Sequence, residues 1–308
     1  MSTLPTVTGI ICTIGGRPEM LRDAVRAMAA QDITADLEIL VLFDHVAIDE
    51  LTDVDLPENV SLRTIVNDGP RGLAGGRNSG VRHARGQFVA FCDDDDAWEP
   101  AKLRLQLAAL ERRPDAVAVA GGIAIVTDSG TVHRDPPAEA SFDDFLRSRI
   151  TEIHPSAVLY RTADLRPGGA IGPVDEDLPH GYGEDYDLLL RATRNGPVVS
   201  VPETVLTVRW DRPSYFAGKW DSLAEGLTYI LRKFPEFESC PPGLARITGQ
   251  VAFAHAARGR RRTAVEWSHA TLRRNPLQLR GWAALVVAMT PVPADALLNV
   301  VQSTGRGL

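Results

Sequence analysis

The chain has 308 residues, of which 44% are hydrophobic and 24% are charged, a composition usual for a soluble globular protein. Its formal net charge of −7 at pH 7 argues against a general nucleic-acid-binding protein, because such proteins carry basic surfaces. The N-terminus lacks the pattern of a signal peptide, and no apolar run reaches the roughly 18 residues of a membrane span, so we expect a cytoplasmic protein.

Short apolar runs alternate with amphipathic segments along the first two-thirds of the chain. The runs predict buried strands and the segments predict helices, an order typical of a parallel, doubly wound α/β sheet. The predicted strands are 7–12, 37–43, 60–66, 88–92, 116–126, 156–160, 198–201 and 204–210, and the predicted helices are 19–30, 74–84, 101–112, 142–148 and 184–191. Cys12, Cys92 and Cys240 are widely spaced, and we interpret them as buried thiols rather than as a disulfide or metal pattern.

The pattern changes to helices alone after Pro213. The predicted helices are 222–234, 244–258, 263–275 and 277–289, which divides the chain into a domain of residues 1–213 and a helical region of residues 214–308. This region also contains a cluster of arginines that could contact an anionic membrane surface, although a solvated basic face is the favoured interpretation. The cluster consists of Arg258, Arg260, Arg261, Arg262, Arg273, Arg274 and Arg280.

Four consecutive aspartates, Asp93–Asp96, follow the predicted strand 88–92. Four carboxylates repel one another, and a cation among them favours their ionised forms. The carboxyl end of a strand is where open α/β sheets bind ligands, and oxygen ligands suit Mg²⁺ or Mn²⁺. A solvated acidic turn is the alternative, whereas an EF-hand is disfavoured because its glycine and distal glutamate are absent.

A glycine-rich segment, Asp68–Gly80, precedes the acidic stretch. It matches neither the Walker pattern nor the dinucleotide fingerprint. The helix that follows it could attract phosphate through its free amides and through Arg71 or Arg77, with simple loop geometry as an equal alternative. A second long loop, Pro167–Gly183, has the length of a lid or a binding loop.

These segments, in this order, resemble the inverting family-2 glycosyltransferases with the GT-A fold. The similarity covers roughly residues 5–212, and its most specific part extends from Asn78 to Trp98. The resemblance implies a Rossmann-like α/β fold with a mixed, mainly parallel sheet, helices on both faces and a C-terminal helical appendage. It also implies transfer of a sugar from a nucleotide-diphosphate donor to an acceptor hydroxyl, with Mn²⁺ or Mg²⁺ as cofactor. The matching segments are Thr13–Gln31, Ile39–Asp44, Gly72–Gly86, Phe88–Leu103, His154–Arg161 and Glu184–Arg191.

The resemblance also assigns residues to the donor and the metal. Asp44 would contact the nucleotide base, for which uracil is expected, and Asp93 and Asp95 match the ends of the family's Asp-x-Asp motif. Alternate side chains of an extended segment share a face, so these two acids would converge while Asp94 and Asp96 point away. Asp95 is favoured for direct metal contact and Asp93 for the ribose or a metal-bound water. The predicted donor-binding residues are Thr13, Arg17, Asp44, Arg77, Asp93, Asp94 and Arg209, and the predicted metal ligands are Asp95 and Asp93.

Asp185 matches the family's catalytic base, with Glu184 beside it as the next candidate. Inversion needs a single in-line attack, and a carboxylate can take the proton of the attacking hydroxyl. The alternative for Asp185 is an acid in the first turn of a helix, where the helix dipole favours negative charge. The resemblance does not identify the acceptor, which is a sugar, a lipid-linked molecule or a small molecule.

The chain departs from many relatives near the last strand, where Val208–Arg212 lacks the expected histidine. Arg209 or Arg212 could contact the diphosphate instead. The Gln-x-x-Arg-Trp motif of processive members is absent, which favours single transfers. Two other functions stay open: a nucleotidyltransferase that makes an activated sugar, and a non-catalytic protein that binds sugar nucleotides. The presence of Asp93, Asp95 and Asp185 together favours catalysis.

Overall fold

The structure is a computed structural model that describes residues 6–128, 130–209, 218–294 and 296–297. The strands of these residues are β1 Val7–Thr13, β2 Leu37–Phe43, β3 Val60–Val66, β4 Phe88–Asp93, β5 Asp96–Trp98, β6 Ala118–Thr127, β7 Gly130–Arg134, β8 Glu139–Ala140, β9 Leu159–Arg161 and β10 Val198–Arg209. The helices are α1 Pro18–Ala29, α2 Leu73–His83, α3 Lys102–Arg112, α4 Phe142–Arg147, α5 Thr162–Leu165, α6 Glu184–Thr193, α7 Trp220–Lys233, α8 Pro241–Ala257, α9 Arg261–Arg274 and α10 Leu279–Met289.

The chain separates into two compact units. The first contains residues 1–142, 150–176 and 188–213, and the second contains 143–149, 177–187 and 214–308. The second unit therefore takes in two short segments that precede residue 214, and the predicted division at 213/214 stays a prediction. No helix in the described part of the chain is both long enough and apolar enough to cross a bilayer.

All ten strands lie in one mixed sheet of the first unit, in the order β3-β2-β1-β4-β9-β6-β10-β5, with β7 on β6 and β8 on β10. The longer strands pair in parallel (β3-β2-β1-β4 and β6-β10), and the shorter ones pair antiparallel. The predicted mixed, mainly parallel sheet is thereby confirmed. It places the carboxyl ends of β1, β2, β3 and β4 at one edge.

Helices cover both faces of the sheet. Ile11 and Val41 belong to one core cluster with Val25 of α1. On the other face, Gly80 of α2 lies so close to Ile10 that an added Cβ would be 2.5 Å from its Cγ2. Neighbouring strand residues point to opposite faces, so Ile10 faces α2 while Ile11 faces the core cluster that includes α1.

Two strand predictions need correction. The sequence predicts two separate strands, at residues 198–201 and 204–210. Instead β10 is continuous, and the register shifts between Val201 and Thr204 accommodate Pro202 as an irregularity. Of the predicted strand 156–160, Ser156 and Ala157 lie in a 3₁₀ turn, Pro155–Ala157, and only Leu159 and Tyr160 lie in a strand, β9.

Lys102, at the start of α3, is fully buried (0% exposed). Its Nζ donates to Gln106 Oε1 at 2.9 Å and lies 5.1 Å from the centre of the Trp98 ring. Burial lowers the pKa of Lys102 to about 7, against a small opposing effect from Cys92. The folded state therefore favours the neutral amine.

We expect Lys102 to make the free energy of unfolding rise with pH between about pH 7 and 10.5. Between about pH 7 and 10.5 the unfolded chain binds the proton and the folded chain does not, so stability rises with pH. Relative to Lys102→Met, the wild-type free energy of unfolding should rise by up to about 1.4 kcal/mol per pH unit in this window. Thermal unfolding of both proteins from pH 6 to 10 measures the difference, and parallel curves would contradict the prediction.

Candidate active site

Polar residues stand at the carboxyl ends of four adjacent parallel strands of the first unit. Thr13 and Asp93 are the last residues of β1 and β4, while Asp44 and Asn67 directly follow β2 and β3. Because these ends share one edge of the sheet, side chains distant in sequence are brought together where α/β proteins bind ligands.

Asp44 is buried and holds the glycine-rich loop. Its Oδ1 accepts from Asn67 Nδ2 at 2.8 Å, and its Oδ2 accepts from the Gly72 backbone N–H at 3.0 Å. Gly72 has φ +113°, a conformation that favours glycine, and α2 begins at the next residue. Asp44 thus fixes the start of α2, and its predicted contact with a nucleotide base stays a prediction.

The four aspartates do not form the predicted extended segment. Strand β4 ends at Asp93, a turn contains Asp94 and Asp95, and Asp96 begins β5. The prediction that Asp94 and Asp96 point away on one side is therefore wrong, because the alternation of a strand is interrupted by the turn. The predicted helix over 101–112 nevertheless follows as α3.

Arg17, from the loop before α1, forms ion pairs with both turn acids, Asp94 and Asp95. Thr13 Oγ1 donates to Asp94 Oδ2 at 2.6 Å and accepts from the Gly15 backbone N–H at 3.0 Å. The structure therefore brings the predicted donor-binding residues Thr13, Arg17 and Asp94 together with the predicted metal ligand Asp95. Their contacts are with one another, and roles toward a donor or a metal stay predictions.

Asp93, Asp96 and His154 form a second group, in which one ligand atom from each residue lies within 4.8 Å of the others. His154 Nδ1 is 3.6 Å from Asp96 Oδ2, which is buried and has no hydrogen-bond partner among the described residues. Ser156 Oγ accepts from the Asp93 backbone N–H at 3.1 Å. Two carboxylates and an imidazole are a donor set that divalent metals use.

The acidic cluster fits a divalent cation electrostatically. The four aspartates pair with two arginines, Arg17 and Arg77, and Asp96 also lies near His154, so the carboxyl groups outnumber the permanently charged cations in these ion pairs. Burial raises the pKa of Asp94, Asp95 and Asp96, and for Asp96 the nearby Asp93 carboxylate adds to the rise. A bound dication would remove this repulsion and favour the ionised forms.

Two other predicted donor-binding arginines have different surroundings. Arg77 is only 3% exposed, with Nη2 3.3 Å from Asp93 Oδ1 and its guanidinium 5.1 Å from the centre of the Phe91 ring. Arg209 is half-exposed, and its Nη2 lies 3.8 Å from Asp23 Oδ2. Arg77 thus borders the acidic cluster, while the alternative Arg212 lies outside the described residues.

Asp185, the predicted base, lies in the second unit in the first turn of α6. Arg149 Nη2 donates to both of its carboxylate oxygens, at 2.8 and 2.7 Å. The Asp185 side chain is 18% exposed, so it is mostly buried but still accessible to solvent. A charge-assisted contact of this kind holds a carboxylate in one orientation.

The residues that flank Asp185 anchor this turn of helix. Tyr186 is 1% exposed, its hydroxyl donates to the Phe145 carbonyl at 2.6 Å and it accepts from Arg246 Nη2 at 2.9 Å. Asp187 is fully buried and pairs with Lys233 at 2.7 Å. Glu184, the alternative base, is buried at 4% exposure. Asp185 is consequently the most accessible of these acids, and the contacts of Tyr186 and Asp187 hold the helical turn to which it belongs.

Sequence reasoning missed His154, Ser156 and Arg149. His154 falls inside a segment that carried the family resemblance, and its position before Pro155 in the chain gave no role to its side chain. Arg149 follows a short helix and has no local pattern at all. A search for charged residues near the matched segments could have selected both, but it would have selected many others as well.

Comparisons with known proteins point to one family. Residues 9–168, just over half of the chain, match the family described as Glycosyl transferase family 2. An uncharacterized glycosyltransferase of Haemophilus influenzae is 26% identical over 199 residues, 62% of this chain and 71% of that protein. The succinoglycan biosynthesis protein ExoO of Rhizobium meliloti is 27% identical over 207 residues, 63% of this chain and only 57% of that relative's length.

Two solved structures share the fold. S. aureus TarS 1–349 in complex with UDP has a TM-score of 0.53 and 18% identity, covering 98% of this chain and 92% of that one. The mannosyltransferase PcManGT from Pyrobaculum calidifontis, in complex with GDP-Man and Mn²⁺, has a TM-score of 0.54 and 18% identity, covering 99% and 81%. These similarities confirm the expected GT-A fold.

Proposed function

Because the chain belongs to glycosyl transferase family 2, we propose that it transfers single sugars, with inversion, from a nucleoside-diphosphate donor to an acceptor hydroxyl. The observation that carries the proposal is the aspartate cluster at the end of β4. It contains four carboxyl groups against two arginines, Arg17 and Arg77, and it lies at the sheet edge where α/β proteins bind nucleotides. A site of this charge suits a cation that accompanies a diphosphate.

The proposed metal is Mn²⁺ or Mg²⁺. Asp93 and Asp95 would hold it according to the family resemblance, and Asp93, Asp96 and His154 offer a second set of donor atoms. Asp93 belongs to both sets, and Asp95 would have to exchange its contact with Arg17 for the cation. When bound, the cation would stabilise the charge that develops on the leaving diphosphate.

The proposed base is Asp185. Its carboxylate would accept the proton of the acceptor hydroxyl as that oxygen attacks the anomeric carbon from the side opposite the leaving group. One displacement inverts the configuration and requires no covalent intermediate. Arg149 would keep the carboxylate turned in one direction throughout, since it contacts both oxygens.

We expect uridine nucleotides to bind best. Asp44 lies at the end of β2, and a carboxylate can accept a hydrogen bond from the imide N–H of uracil, although it could also accept from guanine. Calorimetric titration with uridine, thymidine and guanosine diphosphates tests the preference. A clear preference for guanosine diphosphate would contradict it, while Asp44→Asn should weaken the binding of uridine diphosphate, because a neutral amide is a weaker acceptor than a carboxylate.

The reaction itself is tested with a panel of nucleotide sugars in the presence of Mn²⁺. Released nucleoside diphosphate supports glycosyl transfer. A nucleotidyltransferase would instead release pyrophosphate from a nucleoside triphosphate and a sugar 1-phosphate, which a parallel incubation with those two substrates tests. Donor binding with neither product would identify a non-catalytic binding protein. The anomeric configuration of the product, determined by NMR, tests inversion, and its mass tests whether one sugar or many are added. Loss of product on addition of a chelator tests the need for a metal.

A further inference from the structure

Helix α10 exposes a row of large apolar side chains. Leu279, Trp282, Val286 and Met289 are spaced three, four and three residues apart, which places them on one side of the helix, and we call them the α10 stripe. Their exposures are 72, 52, 41 and 74%, and Leu277, just before the helix, is 86% exposed. Scattered exposed apolar residues are normal, but a continuous row is characteristic of a contact surface.

The opposite side of α10 is also apolar but consists of small residues. Gly281, Ala284 and Ala288 are buried, and Ala284 and Ala288 pack into an apolar cluster with α8 and α9. An added Cβ at Gly281 would be 3.0 Å from Leu272, so the helices approach closely there. The helix therefore turns its small residues inward and its large residues outward, the reverse of an ordinary surface helix.

The chain segment that contains the stripe carries charges of one sign. Residues 267–294 contain no aspartate or glutamate but contain Arg273, Arg274 and Arg280. Arg273 is exposed and forms no ion pair with a carboxylate of the described residues. Four other arginines of the predicted basic face are in ion pairs: Arg258 and Arg260 with Asp221, Arg262 with Glu266, and Arg274 with Glu238.

We propose that the α10 stripe docks onto an anionic lipid bilayer, with the helix lying in the plane of the interface. Large exposed apolar side chains in a segment that contains arginines and no acidic residue are the features of interfacial helices. Trp282 fits this position because tryptophan prefers the membrane interface. Its Nε1 donates to the Pro276 carbonyl at 2.8 Å, which fixes the orientation of the indole. A segment of this composition favours an anionic surface.

Vesicle flotation of the full chain tests the proposal without reference to sugar transfer. Wild-type protein should float with vesicles that contain equal parts phosphatidylglycerol and phosphatidylcholine, and much less with phosphatidylcholine alone. The double variant Leu279→Gln/Met289→Gln should lower the partition coefficient at least about tenfold, because removing one large apolar side chain from water already changes an equilibrium by about that factor. Arg273→Glu should weaken binding to the anionic vesicles and lower its sensitivity to salt.

Val132→Gln is the matched control, because Val132 is also an exposed apolar residue (53%) but lies on β7 in the first unit. It should float like the wild type. All variants replace exposed side chains, and unchanged melting temperatures would show that they fold. The proposal is overturned if the wild-type protein does not float with anionic vesicles. It is equally overturned if the Leu279→Gln/Met289→Gln variant, the stripe variant, floats as well as Val132→Gln does. It is also overturned if light scattering shows that the stripe variant separates a dimer while vesicle binding is unchanged, since a second copy would then cover the stripe.

Discussion

Asp185→Asn is expected to lower the rate of sugar transfer about 10²- to 10⁴-fold, the usual contribution of a general base, while donor affinity stays near that of the wild type. Asparagine keeps the size of the side chain and can still accept a hydrogen bond from Arg149, but it cannot take up the proton of an acceptor hydroxyl. Transfer rate, donor affinity and melting temperature should be measured on the same protein preparation.

Two variants separate catalysis from structural support. If Asp185 were only an acid in the first turn of α6, asparagine would serve nearly as well there, at a cost under about 1 kcal/mol and with little change in turnover. Glu184→Gln is the matched control, since it removes a neighbouring carboxylate from the same turn. A folded Asp185→Asn protein with near-normal transfer, together with an inactive Glu184→Gln protein, would show that Glu184 is the base.

Arg149→Met probes how the carboxylate is oriented. The two hydrogen bonds from Arg149 hold both oxygens of Asp185, so their loss should lower the transfer rate less than Asp185→Asn does. Donor affinity should not change. In the Asp185→Asn background the same substitution should have a much smaller effect, because residues that act as one unit are not additive. Equal effects in both backgrounds would contradict a positioning role.

The main strands could be predicted closely because burial on both faces leaves a distinctive pattern. Leu37–Phe43 is apolar except for Glu38, and all seven residues are buried in β2 with the predicted bounds. Strand β7 has the opposite character: its residues are exposed and mixed, so no run of apolar residues marks it. It exists because it pairs with β6, a partner that local sequence does not specify.

The arrangement of the aspartates could not be read from the sequence for a related reason. Four identical residues contain no periodicity, so nothing in the sequence distinguishes a strand from a turn at Asp94 and Asp95. The turn brings both acids to Arg17, about 78 residues away along the chain. Long-range ion pairs of this kind decide side-chain directions, and single-sequence patterns carry no information about them.

Helix α10 shows a different limit. An apolar periodicity predicts a helix, and the predicted segment 277–289 is confirmed as Leu279–Met289 with a start two residues later. Periodicity is normally taken to mean that large apolar residues face the core. Here Gly281, Ala284 and Ala288 face inward instead, and only the packing of α8 and α9 reveals which side remains exposed.

Asp95→Ala is expected to remove nearly all of the increase in donor affinity that Mn²⁺ provides. The side chains of Asp93 and Asp95 are 34 and 31% exposed, whereas that of Asp96 is 4% exposed. A cation that also contacts the phosphates of a donor must be reached from solvent, which favours the two exposed acids. Even partners that only orient ligands contribute about 10- to 100-fold to metal affinity, so loss of a direct ligand should exceed that range.

Calorimetric titration of uridine diphosphate with and without Mn²⁺ measures the effect, and His154→Ala is the comparison that makes it decisive. His154 belongs to the group with Asp93 and Asp96, while Asp95 does not. If Asp95 is a ligand, Asp95→Ala should lose the metal effect and His154→Ala should retain most of it. If the cation binds among Asp93, Asp96 and His154 instead, His154→Ala should lose the metal effect and Asp95→Ala should retain most of it. Asp95→Ala would then chiefly remove one of the two ion pairs of Arg17. Because both sets share Asp93, Asp93→Ala should abolish the metal effect in either case, which shows that the titration can detect the loss.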